Sequence, residues 1–235
     1  MKPAITIVVL MGLSACGGGS VGVVGGSGTP ALSAAPGEAA VVNYLQGTHQ
    51  YTLNATDSSG NSYIIQLSSH PNAATSTFNG EAPAYSTVDT LILQKNGASV
   101  ANSISTSYYL LNPYVPLGKT FTTGTPYGLV TSSTPIPTTL NVGNTGSVDS
   151  LTYYHDSTKA FIDANETATY SVDANNSATL LMCLSFVLSD VTVVGTGDGL
   201  APNTETDCYT VDASGTANLV SIALAPVNGE TLDFK

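Results

Sequence analysis

The chain has 235 residues, a formal net charge of −11, no arginine and charged side chains at only 9% of positions. With no basic patch to neutralise phosphates, it is not built to bind nucleic acid or to adhere electrostatically to anionic lipid headgroups. Outside an N-terminal segment, roughly 190 residues remain, enough for one β-rich domain with a substantial core.

The first element is an export signal. Lys2 supplies a positive start, and Ala4 to Leu13 is an apolar run of ten residues. A bilayer-spanning helix needs about 20 apolar residues, so this run does not span. It ends in Leu13-Ser14-Ala15-Cys16. That stretch resembles the lipobox of bacterial lipoproteins. The resemblance implies that residues 1–15 are removed, that Cys16 is acylated, and that Cys16 becomes the first mature residue. The next residue is Gly17 rather than Asp, which in Gram-negative members of that family implies transfer to the outer membrane. Several acyl chains on Cys16 would make the anchor effectively permanent.

The glycine-rich stretch Gly17 to Gly28 reads as a loose tether, so residues 16–47 are expected to be acylated cysteine plus flexible linker, with the β-rich body in 48–235. No helix is expected after residue 40. Alternation with period two is clear instead. Ala168, Tyr170 and Val172 share one face, as do Leu180, Met182, Leu184 and Phe186, and as do Val220, Ile222 and Leu224. Asx- and Gly-rich turns at 57–61, 95–97, 173–176 and 212–215 separate these runs. Four hairpins are therefore expected at about 49–68, 88–108, 166–188 and 207–224, and a further pair at 127–132 and 148–163. The expected fold class is all-β, with antiparallel hairpins in a meander that forms a sandwich or an open barrel.

Two features cut across this pattern. Tyr51 to Ala55, Tyr170 to Ala174 and Tyr209 to Ala213 share the order Tyr, hydroxyl, aliphatic, Asn or Asp, Ala. Their irregular spacing argues for a shared demand of strand endings over a repeat. Residues 110–143 carry five prolines, at 113, 116, 126, 135 and 137, which marks a crossover loop or a meeting of two halves.

Three cysteines are an odd number for an exported chain. Acylation of Cys16 leaves Cys183 and Cys208, which an oxidising compartment would join. Two separate thiols and a pair of metal ligands are the alternatives. Cys183 falls on the face opposite Leu180, Met182 and Leu184, and Cys208 on the face opposite Tyr209 and Val211. A bridge between them would staple the strands from outside the main core.

Chemistry is harder to find. His49, His70 and His155 share no motif, and no G-x-S-x-G, P-loop, dinucleotide or zinc signature occurs. No cofactor is expected, and His155 reads as a surface histidine near a turn. Asp198, Asn203, Glu205 and Asp207 offer oxygen ligands for Ca2+ in one loop, without the EF-hand spacing. Tyr109, Tyr114, Tyr127 and Tyr154 could build an aromatic ligand surface.

Residues 127–160 and the later hairpins resemble small β-rich outer-membrane lipoproteins to which no activity is attached. Only Cys16 takes a role from that resemblance. The expected function is a lipid-anchored envelope protein with a non-enzymatic structural or binding role. Its membrane contact would be the acyl group, and its partner a protein or a glycan. A glycan or ligand binder using the tyrosines is the second reading. An envelope enzyme is the third; it would require His155 or the Asp198 loop to converge with other polar groups.

Overall fold

A computed structural model of the chain describes residues 30–227 and 229–235; the signal, Cys16 and the glycine run lie outside the described residues. In chain order the elements are β1 (Ala34–Pro36), α1 (Glu38–Leu45), β2 (His49–Thr56), β3 (Ser62–Pro71), β4 (Ser76–Phe78) and β5 (Glu81–Lys95). There follow β6 (Ala98–Leu111), β7 (Tyr114–Phe121), β8 (Tyr127–Ser133), β9 (Thr139–Asn141), β10 (Thr145–Tyr154) and β11 (Ile162–Ala174). The chain continues with β12 (Thr179–Ser189), α2 (Val193–Gly197), β13 (Asn203–Asp212), β14 (Ala217–Val227) and β15 (Glu230–Phe234).

The sheet is an antiparallel meander in the order β2-β3-β5-β6-β7-β8-β10-β11-β12-β13-β14-β15, in which each strand pairs with the next wall strand along the chain; β4, between β3 and β5, pairs with β5, and β9, between β8 and β10, lies outside this sheet. Its two edges then meet. Asn54 on β2 and Lys235 beyond β15 exchange both backbone hydrogen bonds, each at 3.0 Å. The result is a nearly closed barrel, and the open-or-sandwich alternatives of the sequence resolve toward the barrel. Closure of this kind removes exposed strand edges.

Alternation sorts the side chains as the pattern requires. On β11, Glu166, Ala168, Tyr170 and Val172 turn inward and are buried, while Thr167 and Thr169 are exposed. On β12, Leu180, Met182, Leu184, Phe186 and Leu188 fill the interior. Outward positions on β11 to β13 carry Thr167, Thr169, Ser185, Thr204, Thr206 and Thr210, interspersed with Leu181 and the exposed Val187. Hydroxyls on the outside of these strands suit water, whereas a lipid-facing barrel presents an apolar band there. Val220 departs from the expectation. Cys208 pairs with Ser221 and Tyr209 with Leu219, so a bulge skips Val220 and turns it outward, 38% exposed. One inserted residue reverses the facing of everything before it.

The flexible linker expected through residue 47 stops earlier. β1 pairs with β9, and α1 lies across one end of the barrel. An isolated eight-residue helix has little stability of its own. Here Ala40, Val41 and Tyr44 are buried in the main core. The Glu38 carboxylate accepts from the Tyr114 backbone N–H at 2.8 Å, Asn43 donates to the Gly215 carbonyl at 3.2 Å, and the Leu45 carbonyl accepts from Thr87 Oγ1 at 2.8 Å. The expectation of no helix after residue 40 is corrected by α1, which runs on to Leu45, and by α2.

The proline-rich middle is no boundary. Its residues form β7 and β8, through which the main sheet runs on to β10, and β9, which pairs with β1 in a separate two-stranded sheet. Pro116 sits beside a register shift at Tyr108 and Tyr109, where the missing N–H is tolerated. A smaller core cluster of Phe121, Leu151, Tyr153, Ala164, Leu188 and Leu200 lies at the barrel end opposite α1. The recurring tyrosine phrase is not a structural repeat. On β2 it leads to the turn at 57–61, while on β11 and β13 it leads to turns at the α1 end.

Candidate functional site

Strand alternation places an unusual set of side chains inside the barrel. β13 turns Glu205 and Asp207 inward beside Tyr209 and Val211. β11 contributes Glu166, β10 contributes Asp149, β5 contributes Asp89 and β7 contributes Lys119. Asp89, Asp149, Glu166, Asp207 and Lys119 border a cavity of about 90 Å³ that Tyr44, Tyr109, Tyr114 and Tyr209 also line. A water needs roughly 10–15 Å³ of such space, so the cavity has room for several waters or a small solute.

These carboxylates are only partly satisfied. Tyr153 donates to Glu166 Oε2 at 3.1 Å, and Tyr209 donates to Asp207 Oδ2 at 3.5 Å. Their other oxygens, Glu166 Oε1 and Asp207 Oδ1, have no hydrogen-bond partner, and the same holds for Glu205 Oε1 and Asp149 Oδ1. Buried carboxylates are costly without partners. Burial raises the pKa of Asp149 to about 7, with the negative charge of Glu166 adding to the effect and Lys119 opposing it. Burial raises Asp89 to about 6. Burial also raises Glu166, Glu205 and Asp207, with Asp207 next among the causes at Glu205, and the Lys119 ammonium pulls all three back down. Lys119 stands 4% exposed, its Nζ 5.9 Å from the centre of the Phe186 ring. Five acids thus surround one interior ammonium, and a further cation would be electrostatically welcome.

A second cluster forms at the barrel end away from α1. His155 follows β10, Asp163 is the second residue of β11, and Asp198 caps the C-terminus of α2. His155 Nδ1 and Asp198 Oδ2 are 2.6 Å apart. Asp163 is fully buried, and neither of its carboxylate oxygens has a hydrogen-bond partner. Thr192 ties α2 to β11. Its N–H donates to the Asp163 carbonyl at 2.8 Å, its Oγ1 donates to the Ile162 carbonyl at 2.8 Å, and that Oγ1 accepts from the Gly195 N–H at 3.1 Å. Gly195 passes so close to β11 that a Cβ there would run into the Asp163 carbonyl oxygen. The hydrogen bond and negative charge of Asp198 raise the pKa of His155. Burial, then the nearness of Asp198, raises that of Asp163.

The sequence-derived sets are redistributed. Cys183 and Cys208 are joined in a disulfide between directly opposed positions of β12 and β13, their Cα atoms 4.1 Å apart. The four tyrosines divide. Tyr109 and Tyr114 line the interior cavity, their rings 6.0 Å apart. Tyr127 and Tyr154 are a cross-strand pair on the outer face, where Tyr127 stacks on Phe78 at 5.5 Å. One common platform is therefore not formed, because Tyr109 and Tyr127 belong to opposite sides of the wall.

The proposed calcium set divides in the same way. Asp198 stands with His155 and Asp163, Glu205 and Asp207 turn into the barrel, and Asn203 donates to the Ala201 carbonyl at 3.2 Å. Sequence reasoning missed Asp89, Lys119, Asp149, Asp163 and Glu166. The available signal was a charged residue at an inward position of an alternating strand, such as Glu166 beside Ala168 and Tyr170. Comparison with protein-family models, with curated proteins and with solved structures finds no match for the chain.

Proposed function

We propose that this is a lipid-anchored binding protein of the bacterial outer membrane, without catalytic activity, whose barrel interior receives a small organic cation. The carrying observation is the set of buried carboxylate oxygens without hydrogen-bond partners around a tyrosine-lined cavity. Carboxylates paired with aromatic rings are the chemistry that selects ammonium and guanidinium groups. A single metal ion fits this interior less well. Among the described residues, only His155, Asp163 and Asp198 bring three potential metal ligands within 4.8 Å of one another. The interior acids are spread more widely, which suits a ligand of several atoms. The lipobox-like start supports the anchor, and the Ser- and Thr-rich outer wall supports a body standing in water.

The test is a calorimetric titration of the full chain with methylammonium, ethylenediammonium and guanidinium at pH 8, beside an Asp149→Asn/Asp207→Asn variant. Saturable binding by the wild type, weakened at least tenfold in the variant, is expected. Absence of saturable binding up to 10 mM of every probe (on the order of 3 kcal/mol of affinity) would leave the acids as a structural feature and sink the receptor reading. The anchor is tested separately by intact mass and membrane partition of the wild type and of Cys16→Ala. An unacylated, soluble wild type would overturn the lipoprotein assignment.

A further inference from the structure

We propose that His155, Asp163 and Asp198 form a binding site for one divalent transition-metal ion of the zinc class, at the barrel end opposite α1. This site is independent of the interior cavity and of the receptor reading.

Geometry carries the inference. The three side chains come from separate elements, and their candidate ligand atoms all lie within 4.8 Å of one another. Ligand atoms around a four-coordinate ion bound at about 2.0–2.2 Å are separated by about 3.3–3.6 Å, so only small rotamer adjustments are required. In the ion-free arrangement His155 Nδ1 contacts Asp198 Oδ2 at 2.6 Å. That contact explains Asp198 and His155 but not Asp163. Asp163 is fully buried against the Asp198 carboxylate, and neither of its oxygens receives a hydrogen bond from a protein donor. A buried carboxylate in that state costs free energy unless something positive meets it. A divalent ion between the three groups would neutralise both carboxylates and take the neutral imidazole as its nitrogen ligand.

The surroundings fit such a centre. The His155 side chain is 41% exposed and the Asp198 side chain 14%, which leaves a path for the ion and a position for a water. The Thr192 bridge and the close passage of Gly195 fix α2 against β11, so the Asp198 and Asp163 backbones are held before any ion arrives. One imidazole with two carboxylates favours Zn2+ or Mn2+. Ca2+ prefers six to eight oxygens and gains little from a nitrogen donor.

The experiment uses the full chain, purified without an affinity tag and stripped with chelator, titrated with Zn2+ by calorimetry and followed by thermal melting. One Zn2+ per chain with a micromolar or tighter Kd and a raised Tm is expected. His155→Ala and Asp163→Asn should each weaken binding at least thirtyfold and abolish the Tm rise. Asp149→Asn/Asp207→Asn, which alters the interior cavity, should leave Zn2+ binding unchanged. Three results would overturn the proposal: no stoichiometric binding at 100 μM Zn2+, binding indifferent to His155→Ala and Asp163→Asn, or binding lost with the interior acids. Folding of Asp163→Asn is checked by its far-UV spectrum, and His155→Ala, at an exposed turn, provides the second variant.

Discussion

Glu205 and Asp207 stand two positions apart on β13 and turn both carboxylates into the barrel, 1% and 2% exposed. Burial above all, and at Glu205 the negative charge of Asp207, make the folded state hold these protons more tightly than the unfolded chain does. Glu205→Gln removes a buried ionisable group while keeping the shape. It should stabilise the protein at pH 8 by roughly 1–3 kcal/mol, read as a rise in the urea midpoint, and weaken the binding of ammonium probes. A variant that is less stable than wild type at pH 8 would contradict this account of the interior.

The interior acids set the pH profile of stability. Burial first, and for Asp149 the nearby Glu166, hold Asp89 at about 6 and Asp149 at about 7, above the ordinary 3.8. A folded state that binds more protons loses stability as pH rises. Their contribution is fully present below pH 4 and is lost as pH climbs through 6 and 7. Between pH 5 and pH 8 these two acids alone should lower stability by on the order of 4 kcal/mol, a Tm change of about 10 °C for a domain of this size, and Asp207, held at about 8 chiefly by burial, adds to the fall. Melting curves at fixed ionic strength measure it. Ligand cations should bind more tightly at pH 8 than at pH 5, because the ionised acids attract them.

The Cys183–Cys208 bridge joins two strands that also pair through their backbones. It closes a chain segment of 25 positions, which the chain-entropy model values at about 3.5 kcal/mol. A Cys183→Ala/Cys208→Ala variant should lose about 2–4 kcal/mol in denaturant unfolding while keeping its β-sheet spectrum. Ligand and zinc binding should survive, since neither cysteine lines the interior cavity or belongs to the His155 cluster, although Cys183, 5% exposed, is part of the main core rather than outside it as the sequence suggested.

Gly195 is held against β11 with no room for a side chain. Gly195→Ala should push α2 away from Asp163 and carry Asp198 with it. The expected result is a loss of about 1–3 kcal/mol together with a Zn2+ affinity reduced at least tenfold. Gly197, with open space around its Cβ position, is the control. Gly197→Ala should leave the Zn2+ affinity unchanged.

Much of the fold was legible because its signals are local. Period-two runs and Asx-Gly turns lie within a few residues of one another, and every strand of the barrel pairs with the next wall strand along the chain. The cysteine pairing followed from counting, once Cys16 was set aside as acylated. What stayed hidden was non-local. α1 looks like part of a linker because Ala40, Val41 and Tyr44 gain their meaning from β2, β3 and β14. Val220 was misplaced because a bulge leaves no mark in composition. The interior acids were overlooked one at a time: Asp89, Asp149 and Glu166 each pass for a solvent-facing residue until the wall curves and gathers them. His155, Asp163 and Asp198 come from three segments, and neither spacing nor motif connects them.

The seam between Asn54 and Lys235 has a kinetic consequence. Every other pairing in the wall is a short-range event that a growing chain can complete as each hairpin emerges. The seam alone joins the two extremes of the barrel. Until β15 reaches β2, the sheet carries two bare edges, each able to pair with another chain. A chain assembling from the unfolded state passes through a stage in which its last-arriving strand decides between a closed wall and aggregation.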